Sequence, residues 1–204
     1  MNALLIVDVQ NDFLPGGSLE VKEGDQVISI INRLIPHFDL AVATQDWHPA
    51  NHGSFASNND TEPFSEGELN GVDQVFWPDH CVQGSRGAEI NKQIDLNKVS
   101  AIIRKGMDPK VDSYSGFFDN KRQHRTGLDG YLKEHDVDTV HVVGLAADVC
   151  VYFTAMDALD LGYKTVLVED AIKGLNPSKV AKCKNEFAHK NGMIMDSTAM
   201  LGGS

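Results

Sequence analysis

A chain of 204 residues, 42% hydrophobic and 23% charged, is long enough to bury a substantial core in one domain, and 18 glycines with seven prolines are too few for a fibrous or disordered chain. A formal net charge of −11, with no basic cluster larger than Lys121, Arg122 and Arg125, opposes nonspecific attraction to nucleic-acid backbones or anionic membranes. Three cysteines (Cys81, Cys150 and Cys183) without CxxC spacing speak against a disulfide framework or zinc ribbon. The amino-terminal apolar run, Ala3 to Val7, is too short for a signal peptide or membrane span, so a reducing, cytoplasmic setting is expected.

Apolar runs alternate with helical patterns along the chain. Strands are predicted near 3–8, 39–45, 100–104, 139–144 and 164–168, with a short last one near 193–195. Helices are predicted near 25–35, 121–134, 149–161 and 178–190. In the first helix Val27, Ile30, Ile31 and Leu34 fall on one stripe. The strands are Val/Ile-rich without polar alternation, the pattern of strands buried on both faces. The expectation is an α/β fold, a single domain over 1–204 with a parallel sheet covered by helices on both sides. The interval 46–85 breaks the rhythm: it is full of turn formers yet carries Trp47, Phe55, Phe64, Phe76 and Trp77. It reads as an ordered functional excursion rather than a disordered one.

Three chemically useful side chains end three strands: Asp8, Lys105 and Cys150. In open α/β sheets, ligands bind beyond the carboxyl ends of the strands. Cys150 follows GLAAD and opens a helix closed by Gly162, with Val151, Ala155 and Ala158 as its buried stripe and Asp148 as its expected N-cap. In a first helical turn, free N–H groups favour a thiolate and can cradle an oxyanion. Taken singly, the cysteine also reads as a small buried hydrophobe, the aspartate as a turn residue and the lysine as a surface charge. Together they read as an activated cysteine nucleophile. Asp46-Trp47-His48 and Trp77-Pro78-Asp79-His80 offer a carboxylate and two imidazoles, a set suited to zinc, iron or manganese. The alternative is histidines satisfying hydrogen bonds in an ordered loop. His52 is a further candidate, although its Pro/Asn/Gly context does not favour a helix that would align it with His48. The signatures GxGxxG, GxxxxGK[ST], HExxH and GxSxG are missing.

VDVQNDFLPGGSL, TQDWHPANHGSF, WPDHCVQGS, IIRKG, SYSGFFDN and GLAADVC occur in this order from about residue 3 to 197. Together they resemble the isochorismatase-like cysteine hydrolases, and within them the nicotinamidase/pyrazinamidase branch. The resemblance implies a six-stranded parallel sheet flanked by helices. It implies Asp8 as base, Cys150 as nucleophile and Lys105 as the cation beside both, with Asp46, His48 and His80 holding one divalent transition metal ion. Zinc is the first expectation for that ion, with iron or manganese as alternatives. It further implies a cis peptide at Leu145-Ala146, an oxyanion hole from the Ala146 and Cys150 amides, and a substrate pocket walled by Phe13, Trp77 and Tyr114. Where some members carry another histidine ligand this chain has Ser54, which would act through water; His52 does not match that position. The implied activity is hydrolysis of nicotinamide, a step of NAD salvage, with pyrazinamide as a second substrate. Rival readings are a relative acting on isochorismate or on carbamoyl or ureido compounds, and a noncatalytic binding protein. No nucleic-acid or membrane partner is expected, and a homo-oligomer is compatible with the sequence.

Overall fold

The amino-terminal apolar run forms β1 (Asn2–Val7) at the centre of the sheet, and the rest of the chain is wound to either side of it. In the computed structural model, which describes residues 1–202, the elements that follow are α1 (Gln26–Leu34), β2 (Leu40–Asp46), β3 (Glu66–Leu69), β4 (Val72–Val75) and β5 (Ala101–Lys105). After them come α2 (Leu128–Glu134), β6 (Thr139–Leu145), α3 (Cys150–Asp160), β7 (Lys164–Lys173), α4 (Pro177–His189) and β8 (Met193–Met195). Six strands form a sheet in the order β5-β2-β1-β6-β7-β8, every pairing parallel. The chain moves outward from β1 through β2 to β5, then returns to β1's other side and moves outward through β6 to β8. The order therefore reverses between β1 and β6, and a crevice opens beyond their carboxyl ends.

Strand periodicity of two divides the core. Leu4 and Ile6 of β1 face the layer holding Val27, Ile28, Ile31 and Leu34 of α1, while Ala3, Leu5 and Val7 face the layer holding Leu128, Val151, Ala155, Ala158 and Phe187. Helices thus cover both faces, as expected. Ile28 rather than Ile30 completes the buried stripe of α1. β5 is the exception among the strands: as an edge strand its burial alternates, leaving Ile102 exposed.

Three sequence expectations are corrected. The helix expected from 121 begins only at Leu128, because the Asp119 carboxylate accepts the Gln123 and His124 amides and diverts them from a helical ladder. Asp148 does not cap α3; its carboxylate accepts the amides of Leu175 and Asn176, binding the α3 entry to the loop before α4. The excursion contains an antiparallel hairpin, β3–β4, closed by Asn70 and Gly71, both at positive φ. An Asn-Gly pair is a favoured two-residue hairpin turn. No helix among the described residues is long and apolar enough to cross a membrane.

The burial pattern yields a test with one residue type. Ile31 is 0% exposed and Ile102 is 46% exposed. Ile31→Ala is expected to lower the unfolding free energy by about 2–5 kcal/mol, whereas Ile102→Ala changes it by about 0.5 kcal/mol or less. Urea denaturation of the two variants checks this, and similar losses would contradict the layer assignment.

Candidate active site

Because β5, β2, β1 and β6 are parallel neighbours, their carboxyl ends form one row. Lys105 ends β5 and pairs in register with Asp46, which ends β2. Asp8 follows β1, and Ala146 follows β6, four residues before Cys150 opens α3. The row thus gathers Asp8, Asp46, Lys105 and Cys150, all buried. Lys105 Nζ donates to Asp46 Oδ1 (2.6 Å) and to the Ser113 carbonyl (2.8 Å), and lies 3.4 Å from Cys150 Sγ. It also pairs with Asp8 Oδ2 at 2.9 Å, but at an angle that leaves this buried oxygen without a hydrogen bond. The other oxygen, Oδ1, accepts the Thr44 hydroxyl at 2.6 Å, and Thr44 Oγ1 in turn accepts the Asp8 amide. One Asp8 oxygen is therefore fixed by Thr44 and the other faces the Lys105 ammonium.

Electrostatics follow from burial. Desolvation alone would depress the Lys105 ammonium, but Asp46 and Asp8 outweigh it and hold its pKa well above the usual lysine value. Burial alone would also raise Asp46; Lys105 and then His48 reverse this and keep it ionised. Asp8 goes the other way: burial raises its pKa more than Lys105 lowers it. For Cys150, burial pushes the thiol well up; Lys105 opposes, and Asp8 and Asp46 add to the rise. Burial and the two carboxylates thus outweigh Lys105, so the protonated thiol is favoured. Among the described residues, neither the Ala146 nor the Cys150 amide donates a hydrogen bond within the chain, so both are available to an oxyanion. The Leu145-Ala146 peptide is cis.

Asp46, His48 and His80 bring one ligand atom each to within 4.8 Å of one another. His48 Nδ1 faces the Gly106 carbonyl and His80 Nδ1 faces the Pro78 carbonyl, both at 2.8 Å. Each Nδ1 therefore carries the proton, and each Nε2 presents a lone pair toward Asp46 Oδ2, at 3.6 Å and 3.9 Å. Burial and then His48 hold His80 down to about 4, whereas for His48 burial is outweighed by Asp46, which raises its pKa; a cation bound at Nε2 would displace the proton that Asp46 otherwise favours there. His48 Nε2 is buried without a partner. Two nitrogen lone pairs converging on a carboxylate oxygen form a hole for a cation, and carbonyls behind both rings are the usual support for ligating histidines. The charges agree, since one buried ammonium offsets only one of the two carboxylates, Asp8 and Asp46. The residues therefore fit a divalent metal. Gly106 is required at φ +65, where a Cβ would come within 2.4 Å of His48 Cε1. His52 lies outside this trio; its Nδ1 accepts the Ser54 amide and pairs with the Ser54 hydroxyl at 2.7 Å.

Between this trio and Cys150 lies a narrow cleft. Phe13, Trp77 and Tyr114 line it, with Leu19, Asp112, Val149 and Leu175, which the sequence did not single out. Thr44 and Gln10 were also missed. Gln10, fully buried, accepts the Asp46 amide and donates to the Asp46 and Ala88 carbonyls, all at 2.8 Å. The period-two signal was available for both, since Thr44 precedes Asp46 by two residues and Gln10 follows Asp8 by two.

The sequence profile of the isochorismatase domain matches residues 2–199. The nicotinamidase of Escherichia coli (strain K12) is 51% identical over 178 residues, which cover 85% of this chain and 84% of that protein. Among solved structures, a nicotinamidase/pyrazinamidase of Acinetobacter baumanii superposes with a TM-score of 0.95 at 44% identity, covering 98% of this chain and 97% of that one. A pyrazinamidase of Pyrococcus horikoshii in complex with zinc superposes with a TM-score of 0.81 at 36% identity, covering 96% and 98%. Profile, sequence relatives and solved folds agree over nearly the whole chain, and the protein belongs to the isochorismatase family.

Proposed function

We infer that this chain hydrolyses nicotinamide to nicotinate and ammonia through a thioester on Cys150, with pyrazinamide as a second substrate. The reaction class and substrate rest on the nicotinamidase relatives at about half identity. The observation that carries the mechanism is the position of Lys105 Nζ, in reach of Asp8, Asp46 and Cys150 at once.

Asp8 Oδ2, the oxygen without a hydrogen bond, takes the thiol proton, and Lys105 stabilises the thiolate. The thiolate attacks the carboxamide carbon, and the Ala146 and Cys150 amides stabilise the tetrahedral oxyanion. Asp8 returns the proton to the departing nitrogen, ammonia leaves, and the acyl group remains on sulfur. Asp8, again a carboxylate, deprotonates water for attack on the thioester; the C–S bond breaks, the proton held by Asp8 returns to the Cys150 sulfur, and nicotinate is released as the new acid ionises. Phe13, Trp77 and Tyr114 confine the ring so that its carboxamide meets Cys150. Asp46, His48 and His80 would hold a divalent ion, which supplies a Lewis-acid partner for the ring nitrogen. Zinc is the ion we infer, supported by the two-imidazole, one-carboxylate set and by the zinc in the P. horikoshii relative. The excursion at 46–85 then serves as the metal- and substrate-binding segment of a single catalytic domain. A cytoplasmic setting is supported by three unpaired cysteines.

Four outcomes are expected. Cys150→Ala abolishes turnover, and acid quenching of the wild-type enzyme with a slow amide substrate leaves an acyl adduct on Cys150 by mass spectrometry; an adduct on Cys81 or Cys183 would sink the assignment. Asp8→Asn lowers kcat/KM by roughly 10²–10⁴-fold, because an amide accepts no proton from the thiol; retention of more than a tenth of the activity would remove Asp8 as the base. Metal analysis finds a divalent ion in the wild type and its loss in His80→Ala. Because a site built for a polar partner rejects the analogue lacking it, nicotinamide exceeds benzamide in kcat/KM by at least about 10²-fold. Equal turnover of the two amides would contradict the role given to the ion.

A further inference from the structure

The catalytic cleft adjoins a vestibule whose walls include four cleft residues, Trp77, Tyr114, Val149 and Leu175. Its rim carries Phe64 and Phe153, 57% and 42% exposed. The aromatic rings form a continuous series from solvent inward and back: Phe64 to Trp77 at 6.0 Å, Trp77 to Tyr114 at 6.1 Å, and Tyr114 to Phe153 at 5.4 Å between centroids. These are aromatic-pair distances, yet the two outer rings keep large apolar areas in water. Phe64 is also held at φ +68, a backbone conformation that bulky side chains rarely adopt and that clusters at ligand clamps. Its amide is fixed on the Phe76 carbonyl.

The direction in which a substrate would extend into this space follows from ring chemistry, given the function proposed above. Asp46, His80, Ala146 and Cys150 line the cleft but not the vestibule. In nicotinamide the ring nitrogen and the carboxamide-bearing carbon are meta to each other. With the nitrogen directed to the metal ligands and the carboxamide to Cys150, C2 lies between the two anchors. C5, diametrically opposite C2, is directed away from both, and of the cleft walls that neither anchor occupies, Trp77, Tyr114, Val149 and Leu175 are shared with the vestibule. The vestibule's charged residues are Glu66, Asp148 and Lys179, a set with no cluster of cations for a phosphate-bearing extension.

We propose that the vestibule is an outer subsite that takes a flat apolar substituent on C5 of a nicotinamide-type amide, held against Phe64 and Phe153. The enzyme's substrates then include 5-substituted pyridine-3-carboxamides. Substituents at C2 are excluded because they would fall between the anchors.

The test compares nicotinamide, 5-phenylnicotinamide and 2-phenylnicotinamide on the metal-loaded wild type and on a Phe64→Ala/Phe153→Ala double variant. Both side chains are exposed, and nicotinamide turnover reports that the variant is folded. The wild type is expected to hydrolyse 5-phenylnicotinamide with a KM no higher than that of nicotinamide, and to leave the 2-phenyl isomer intact. Loss of the rim aromatics should raise KM for the 5-phenyl compound by about 5-fold or more while changing the nicotinamide constants by less than about 2-fold. If nicotinamide is hydrolysed but 5-phenylnicotinamide is not, or if the double variant handles 5-phenylnicotinamide as the wild type does, the outer subsite is overturned. Failure with nicotinamide itself would instead overturn the function on which the subsite rests.

Discussion

An ammonium with 2% exposure, held between two carboxylates, organises this molecule's chemistry. Lys105 can stay charged in the interior only because Asp46 and Asp8 lie 2.6 Å and 2.9 Å away. The same contact joins two sites that could otherwise be described separately. One carboxylate oxygen of Asp46 engages Lys105 and the other faces the two histidines. Asp8 engages Lys105 from the side of the nucleophile. Moving any one of these groups leaves a buried charge without its partner, so the nucleophile and the metal ligands are positioned as one unit.

The fold supplies that unit at little conformational cost. Parallel strands bring their carboxyl ends to one edge, and the reversal of strand order between β1 and β6 leaves space there. Rigid strand ends carry Asp46 and Lys105 in register, and the first turn of α3 carries Cys150 with a free amide. Asp8 and Ala146 directly follow β1 and β6, and His48, His80 and the aromatic walls come from irregular segments. Those segments are anchored in turn: the His48 amide bonds the Cys81 carbonyl, the Cys81 amide bonds Asp12, and Gln10 clasps Asp46.

Much of this was legible in the sequence, for physical reasons. Strands such as ALLIV and HVVGL are buried on both faces, so their composition marks them, and the residue after each apolar run marks the crevice. The Asp-x-His pair is visible because extended chain repeats every two residues. What stayed hidden depends on contacts distant in sequence. The helix expected from 121 is pre-empted by Asp119, and Asp148 is drawn away from α3 by the amides of Leu175 and Asn176. The helix-terminus argument for a thiolate at Cys150 leaves out desolvation and two carboxylates, which only the folded packing brings to the thiol. That six strands form one parallel sheet came from family resemblance, and their order came only from the structure, because periodicity carries no information on which strands become neighbours.

The most direct measurement of the central claim is the pH dependence of Cys150 alkylation by a small neutral reagent in the wild type and in a folded Lys105→Met variant. Methionine keeps the length and apolar stem of the side chain but removes the ammonium. If Lys105 is the cation that stabilises the thiolate, alkylation of Cys150 in the variant shifts to higher pH and slows at neutral pH. An unchanged alkylation profile would mean that the ammonium does not act on the thiol, and the unit described here would come apart.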